Sequence, residues 1–312
     1  MNNHSWLSAF APTKRVGAWP HRAHAAAIAE RITMPEGHET GGRLPTTIDT
    51  TTPHEARFYD YWLGGVDNYP ADRRLGDEIA AHIPGIRSMA QANRAFLGRT
   101  VRYAITDLGI TQFLDIGTGL PTARNTHQVA QEVNPAARIV YVDKDPLVLA
   151  HARALMKSTP EGRTAFIHAD LREPESILRD PELTRTLDMD RPIGIMLISV
   201  LMYFRDSDGI RDIVARFLDA VPPGSSLAIS HATADFNIRG AQRAAEAAER
   251  SGITMITRNR TETEKFFAGT HLLAPGITTL EDWHPELAEV PLFDVEPHTG
   301  PAWAWCGMGR KP

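Results

Sequence analysis

The chain of 312 residues has room for one large domain or two small ones. Its 42% hydrophobic and 23% charged residues fit a globular protein with a core, and its net charge of -5 argues against broad nucleic-acid binding, a local basic patch aside. A single cysteine, Cys306, excludes an intrachain disulfide and a cysteine zinc cluster.

Residues 1–52 mix Pro12, Pro20, Pro35 and Pro45 with glycines and many threonines, and only Ala23–Ile32 could form a short helix. Such a segment buries too little apolar area to offset its ordering entropy, so a flexible extension is expected, with Met34 as an alternative start. No apolar run reaches the roughly 20 residues that span a bilayer, and the first ten residues lack the basic-then-apolar order of a secretory signal. A cytoplasmic location is expected by elimination.

The run from His54 to Pro70 places Phe58, Tyr59, Tyr61 and Trp62 on a helix-like stretch that breaks at Gly64-Gly65. Aromatic residues this dense pack a core or cover a pocket. Ala71–Ile83 reads as a helix stopped by Pro84, and Pro84–Leu108 as a longer one with an apolar face that includes Asn93. Residues 53–109 are therefore expected to be a helical region, followed by a different pattern over 110–312.

From residue 110 strands and helices alternate. Strands are expected at Gln112–Ile116, Arg138–Val142, Thr164–Ile167, Ile193–Val200 and Ser226–Ser230. Helices are expected at Thr122–Val133, Pro146–Lys157, around Glu175–Arg179, at Asp208–Val221 and at Asn237–Arg250. Thr261 to Glu264 opens a short helix with capping-box spacing. Two late strands follow near Gly276–Leu280 and Ala302–Met308. Nearly continuous apolar strands separated by helices imply a parallel sheet covered on both faces, a doubly wound α/β fold.

In such sheets ligands bind at the carboxyl ends of the strands, near the point where strand order reverses. The first strand ends on Asp115, Gly117 and Gly119, and glycines there let backbone approach a ligand. The second ends on Asp143, suited to accept from both hydroxyls of a ribose. The third runs into Asp170 and Leu171, which could receive an adenine amino group and one ring face. The fourth runs into Ser199–Tyr203. Together these point to a nucleoside ligand. A dinucleotide is the nearest rival, but its G-x-G-x-x-G turn is broken here by Thr122, and Pro121 removes an N–H that a pyrophosphate would use. S-adenosylmethionine (SAM) has no phosphate and loses nothing by this, so the residues lean to SAM. A phosphate-binding loop, a G-x-S-x-G elbow and H-E-x-x-H metal spacing are all absent from the sequence.

From about residue 50 to 312 the chain resembles the actinobacterial SAM-dependent methyltransferase family once catalogued as the domain of unknown function DUF574. The resemblance is carried by the run Ala56 to Tyr69, by Asn93-Arg94-Ala95-Phe96-Leu97, by Phe113 to Thr122, by Tyr141 to Pro146, by Ser230-His231-Ala232-Thr233 and by Gly307 to Lys311. It implies a Rossmann-like class I methyltransferase fold, a mostly parallel seven-stranded sheet with an N-terminal helical lid. Carried over by position, Asp115, Gly117, Gly119, Asp143, Asp170 and Ser199 line the SAM site. Tyr61, Gly64, Gly65, Asn68 and Arg94 close over it, with Arg94 near the methionine carboxylate. Where relatives show a Leu-His-Phe type run, this chain has Met202-Tyr203-Phe204.

Methyl transfer asks the protein mainly to position two reactants, and needs a base only if the acceptor must lose a proton. Tyr203, His231 and Asp235 are the candidate bases, each with a structural role as its alternative. His127 and Asn125 are expected to cap or brace the helix after the glycine turn, and His168 to be packed. The expected acceptor is a small molecule. A SAM-binding or S-adenosylhomocysteine-binding regulatory protein without transferase activity is the alternative.

Overall fold

The computed structural model describes residues 49–122, 124–287 and 303–312, the side chains of 153–155 aside. The extension expected over 1–52 lies outside the described residues as far as residue 48, as do Met34 and the short helix at Ala23–Ile32. The described residues belong to one compact unit.

Three helices precede the sheet: α1 (Glu55–Trp62), α2 (Pro70–His82) and α3 (Ile86–Thr106). α1 stops at Gly64, whose φ of 81° is the left-handed conformation that favours glycine after a helix. One fully buried carboxylate fixes the start of two helices. Asp72 accepts from Tyr69 N (2.8 Å) at the head of α2 and from His54 N (2.9 Å), the residue that caps α1. Asn93, expected on the apolar face of α3, is indeed buried there.

The alternating part follows as β1 (Gln112–Ile116), α4 (Thr126–Val133), β2 (Arg138–Asp143), α5 (Pro146–Leu155), β3 (Arg163–His168), α6 (Pro174–Leu178), α7 (Pro181–Thr186), β4 (Gly194–Ile198), α8 (Ile210–Asp219), β5 (Ser226–Ala232), α9 (Ile238–Arg250), α10 (Arg260–Glu264), β6 (His271–Leu272), β7 (Thr278–Thr279) and β8 (Ala304–Arg310). The sheet order is β3-β2-β1-β4-β5-β8-β6, with β1 to β5 parallel and β8 antiparallel to its neighbours. It is seven strands wide. Its last position is shared by two short strands: β6 lies against Gly309 and Arg310 of β8, and β7 against Trp305 and Cys306.

Strand residues divide strictly by period two. Phe113, Ile139, Tyr141, Met196 and Ala228 face α3, α4 and α9, in one core with Phe96 and Val129. Leu114, Val140, Ile195, Leu197 and Leu227 face the other way, in a core with Ile177, Leu183, Val214 and Phe217 of α6 to α8. Two buried faces explain the unbroken apolar strands. The alanine-rich α9 packs closely on α2. A Cβ at Gly240 would stand 2.6 Å from His82 O, so only glycine fits.

Several boundaries differ from the sequence reading. α4 begins at Thr126 rather than Thr122, because Arg124 takes a positive φ (61°) and Gln128 Oε1 accepts from Asn125 N (2.8 Å), capping the helix at Asn125. The glycine turn is thus longer than expected. β4 ends at Ile198, two residues early, because Ser199 has φ 53° and cannot continue a strand. α7 and β6 have no counterpart in the expected elements. Among the described residues no helix is long and apolar enough to cross a membrane.

Candidate functional site

The chain runs outward from β1 to β2 and β3, then returns to β4 on the other side of β1. The carboxyl ends of β1 and β4 are therefore neighbours with connections leading apart, and a cavity of about 930 Å3, its open mouth included, lies at that point. Asp115, Gly117, Gly119, Asp143, Asp170, Leu171, Ser199, Tyr203 and Arg94 all line it, as the sequence reading expected of a single site.

Its floor is the glycine turn. Gly117 has φ 75°, and a Cβ there would overlap Val200. Gly119 has φ 67°, and beside its Cα there is open space among the described residues. Its N–H donates to Asp143 Oδ2 (2.8 Å). Asp143 Oδ1 accepts from Asp145 N (2.9 Å), so each oxygen of this buried carboxylate keeps a further lone pair. Burial raises the Asp143 pKa against the opposing pull of those two N–H groups.

Asp115 is buried at the end of β1 and accepts one hydrogen bond, from Thr126 Oγ1 to Oδ2 (2.6 Å). Burial pushes its pKa up to about 6, with Thr126 and Arg94 pulling the other way. Among the described residues Asp115 forms no ion pair, and a ligand ammonium would supply one. Arg94 lines the same wall. Its Nη2 donates to Arg124 O (3.0 Å), and its Nε is buried without a hydrogen-bond partner among the described residues. At the third strand Asp170 accepts from Arg172 N (2.9 Å) and from Arg172 Nη1 (3.1 Å), beside the buried Leu171.

α1 and α3 close the cavity from above, through residues that the sequence reading did not single out for the site. His54 caps α1 and lies 3.3 Å from Asp145 Oδ2 and from Glu55 Oε2. Glu55 is 3.3 Å from Lys144 Nζ. Burial opposes its charge, but His54 and Lys144 outweigh that and hold its pKa below the usual range. Asn93 Nδ2 donates to Tyr59 Oη (2.8 Å), and Asn93 Oδ1 accepts from Ser230 Oγ (2.6 Å). Ser230 Oγ in turn accepts from Ser199 N (3.0 Å). One buried chain of hydrogen bonds thus joins α1, α3, β5 and the end of β4. A polar residue on the apolar face of α3 was the available signal for it.

Tyr61, Gly64, Gly65 and Asn68 do not line the cavity. The Tyr61 hydroxyl donates to Asp77 (2.7 Å) on the outer side. Gly65 and Asn68 are built around the buried Asp60. A Cβ at Gly65 would fall on the Asp60 carboxylate, and Asn68 Nδ2 donates to it (2.8 Å). Burial raises the Asp60 pKa to about 6. These residues shape the end of α1 and stand behind the cavity wall.

The candidate bases separate as well. His231 is fully buried off the cavity, with both ring nitrogens engaged. Burial lowers its pKa to about 4. Asp235 is exposed and accepts from Trp305 Nε1 (2.7 Å) and Arg260 N (3.0 Å), also off the cavity. Neither is placed as a base for a ligand in this cavity. Tyr203 does line it, and burial holds its hydroxyl neutral, with a pKa well above the usual phenol value. His127 braces α4 through N and Nδ1 on Tyr141 Oη (2.7 and 2.9 Å), whereas His168, expected to be packed, is exposed and its Nε2 donates to Lys144 O (2.9 Å). No group of three or more His, Cys, Asp or Glu among the described residues could hold a metal ion.

The lining suits SAM in two respects: open space at Gly119 beside a carboxylate with spare lone pairs, and a second buried carboxyl that a ligand ammonium could pair. The comparisons agree. The family model described as S-adenosyl methyltransferase matches residues 42–312. A DUF574 family protein from Streptomyces avermitilis is 41% identical with a TM-score of 0.78, covering 85% of this chain and 99% of its own. A candidate methyltransferase from Thermobifida fusca is 40% identical with a TM-score of 0.76, covering 84% and 96%. No curated protein matches the chain. With a family model spanning most of its length and both relatives covered almost end to end, the chain belongs to the S-adenosyl methyltransferase family, whose cofactor is S-adenosyl-L-methionine.

Proposed function

We propose that this chain transfers a methyl group to a small-molecule acceptor held in the cavity at the ends of β1 and β4. The observation that carries the reading is Asp143, buried at the end of β2 and lining the cavity, with each oxygen accepting from one backbone N–H and keeping a further lone pair. SAM, when bound, supplies a methyl group on a positively charged sulfur.

The residues have distinct tasks in this reading. Asp143 accepts from the ribose hydroxyls. Asp170 and Leu171 receive the adenine edge and face. Asp115 meets the ammonium of the methionine end, and Arg94 offers positive charge to its carboxylate. Pairing with an ammonium would return Asp115 toward an ordinary carboxylate pKa, so cofactor binding would release part of a proton near pH 6. Tyr59 and Tyr203 face the acceptor. The Tyr59 hydroxyl is committed to Ala90 O (3.1 Å) and Asn93, whereas the Tyr203 hydroxyl makes no hydrogen bond among the described residues. A neutral phenol can orient an acceptor by donating one hydrogen bond, and proximity then does most of the work.

Incubation with methyl-labelled SAM and pooled small-molecule extracts tests this reading. Label is expected in a low-molecular-weight product. Label in protein or nucleic acid alone would overturn the small-molecule acceptor.

A further inference from the structure

Arg258 is only 3% exposed, yet it carries a full charge and five N–H donors. All five find acceptors. Nε and Nη2 donate to Asp206 Oδ1 (3.3 and 2.7 Å), and Nη2 also to Phe204 O (3.0 Å). Nη1 donates to Leu201 O (3.2 Å) and lies 2.7 Å from His231 Nε2. His231 Nδ1 is 2.8 Å from Ala232 O. A carbonyl only accepts, so Nδ1 carries the proton, and Nε2 is left as the acceptor for the guanidinium. Both groups lie on the Phe266 ring, Arg258 at 5.1 Å and the imidazole at 5.9 Å.

Three of the four acceptors share one location. Leu201, Phe204 and Asp206 belong to the segment that follows β4 after the left-handed turn at Ser199. This segment has left the sheet, so strand pairing no longer fixes it. Within Val200–Phe204 the internal backbone bonds are those of one tight turn, Tyr203 N to Val200 O and Phe204 N to Leu201 O, and Met202 O accepts from Ile256 N (2.8 Å). Tyr203 and Phe204 from this turn line the cavity, whereas Arg258 and His231 do not. Arg258 N donates to Ala232 O (3.1 Å), so its fully paired guanidinium ties this segment to the end of β5.

We propose that Arg258 and His231 are positioning residues that set Tyr203 and Phe204 against the bound cofactor and acceptor. This inference rests on the proposed function of the cavity. It makes the neutral imidazole a fixed acceptor for Arg258 and gives Tyr203 its place in the wall.

The test is S-adenosylhomocysteine binding by calorimetry, with melting temperature measured on the same samples. The variants are Arg258→Lys, His231→Leu and His231→Gln. The control is Arg99→Lys, which removes a second buried arginine that donates to Leu280 O and Trp283 O, away from the cavity. Lysine cannot span the four acceptor groups of Arg258, and leucine cannot accept from it. Each of these two variants is expected to weaken binding about tenfold or more, as losing one charge-assisted bond would. Glutamine can donate to Ala232 O and accept from Arg258, so it should bind within about threefold of wild type, and Arg99→Lys likewise despite a lower melting temperature. Wild-type affinity in Arg258→Lys and His231→Leu, or equal weakening by Arg99→Lys, overturns the proposal. If wild type itself does not bind, the function reading fails and the positioning claim passes to hydrogen exchange. The Tyr203 and Phe204 amides must then exchange faster in Arg258→Lys and unchanged in Arg99→Lys. Unchanged rates in Arg258→Lys overturn it.

Discussion

His231 sits fully buried between Ala232 O and Arg258, and it can fill that place only without a charge. Its folded pKa, lowered by burial to about 4, lies below the ordinary 6.5. The unfolded chain therefore binds more protons between those values, so stability contributed by His231 is complete above pH 6.5 and lost as pH falls toward 4. Asp60 and Asp115, raised to about 6 by burial, act in the opposite sense as pH falls through 6 toward 3.8. A wild-type pH profile alone would blend these effects. His231→Gln isolates one of them, because glutamine keeps both hydrogen bonds and does not titrate. Urea unfolding should give a gap, stability at pH 7 minus stability at pH 5, that is lower, with its sign, by about 2 kcal/mol in the variant than in wild type. An identical gap would contradict the buried neutral imidazole.

Gly117 and Gly119 have similar positive φ, yet their substitution should act differently. A Cβ at Gly117 meets Val200, so Gly117→Ala should lower stability by about 1–3 kcal/mol through overpacking and strain. A Cβ at Gly119 meets no neighbour among the described residues, only the space where a cofactor is proposed to lie. Gly119→Ala should cost about 1 kcal/mol of backbone strain while weakening SAM binding at least about tenfold. Thermal melts and calorimetry on both variants check this. Unchanged SAM affinity in Gly119→Ala would move the ligand away from the turn.

At the scale of elements, the Ser199–Ser230–Asn93–Tyr59 chain connects the helices over the cavity to the strands beneath it. Asn93→Ala leaves Tyr59 Oη and Ser230 Oγ each one partner short, and such a loss costs about 1–3 kcal/mol. Hydrogen exchange should quicken in α1 and at Ser199–Tyr203 together. Quickening in α1 alone would mean that the two ends are not coupled. The elements themselves were largely legible in the sequence. β1 matches its expected span and β2 adds only Asp143, because strands buried on both faces read as continuous apolar runs. The end of β4 was not legible, since a serine gives no warning of a left-handed backbone. α7 and β6 are too short for a period to show, although Asp180-Pro181 is a proper helix start.

Across the whole molecule, strand-end acids were readable because parallel topology fixes where strand ends gather, however far apart they lie in sequence. The upper wall was less so. Asn68 and Gly65 serve a buried carboxylate at Asp60, and His231 turns toward Arg258. Both facts depend on residues distant in sequence or on burial that composition does not reveal. What remains is one site in which Asp143, Gly119 and Asp115 from two strand ends converge under α1 and α3. Calorimetric titration of SAM into wild type and into Asp143→Ala tests that convergence most directly. Wild type should bind, and the variant, still folded by its melting curve, should bind at least about a hundredfold more weakly. Absence of wild-type binding, or equal affinity in the folded variant, would contradict the account.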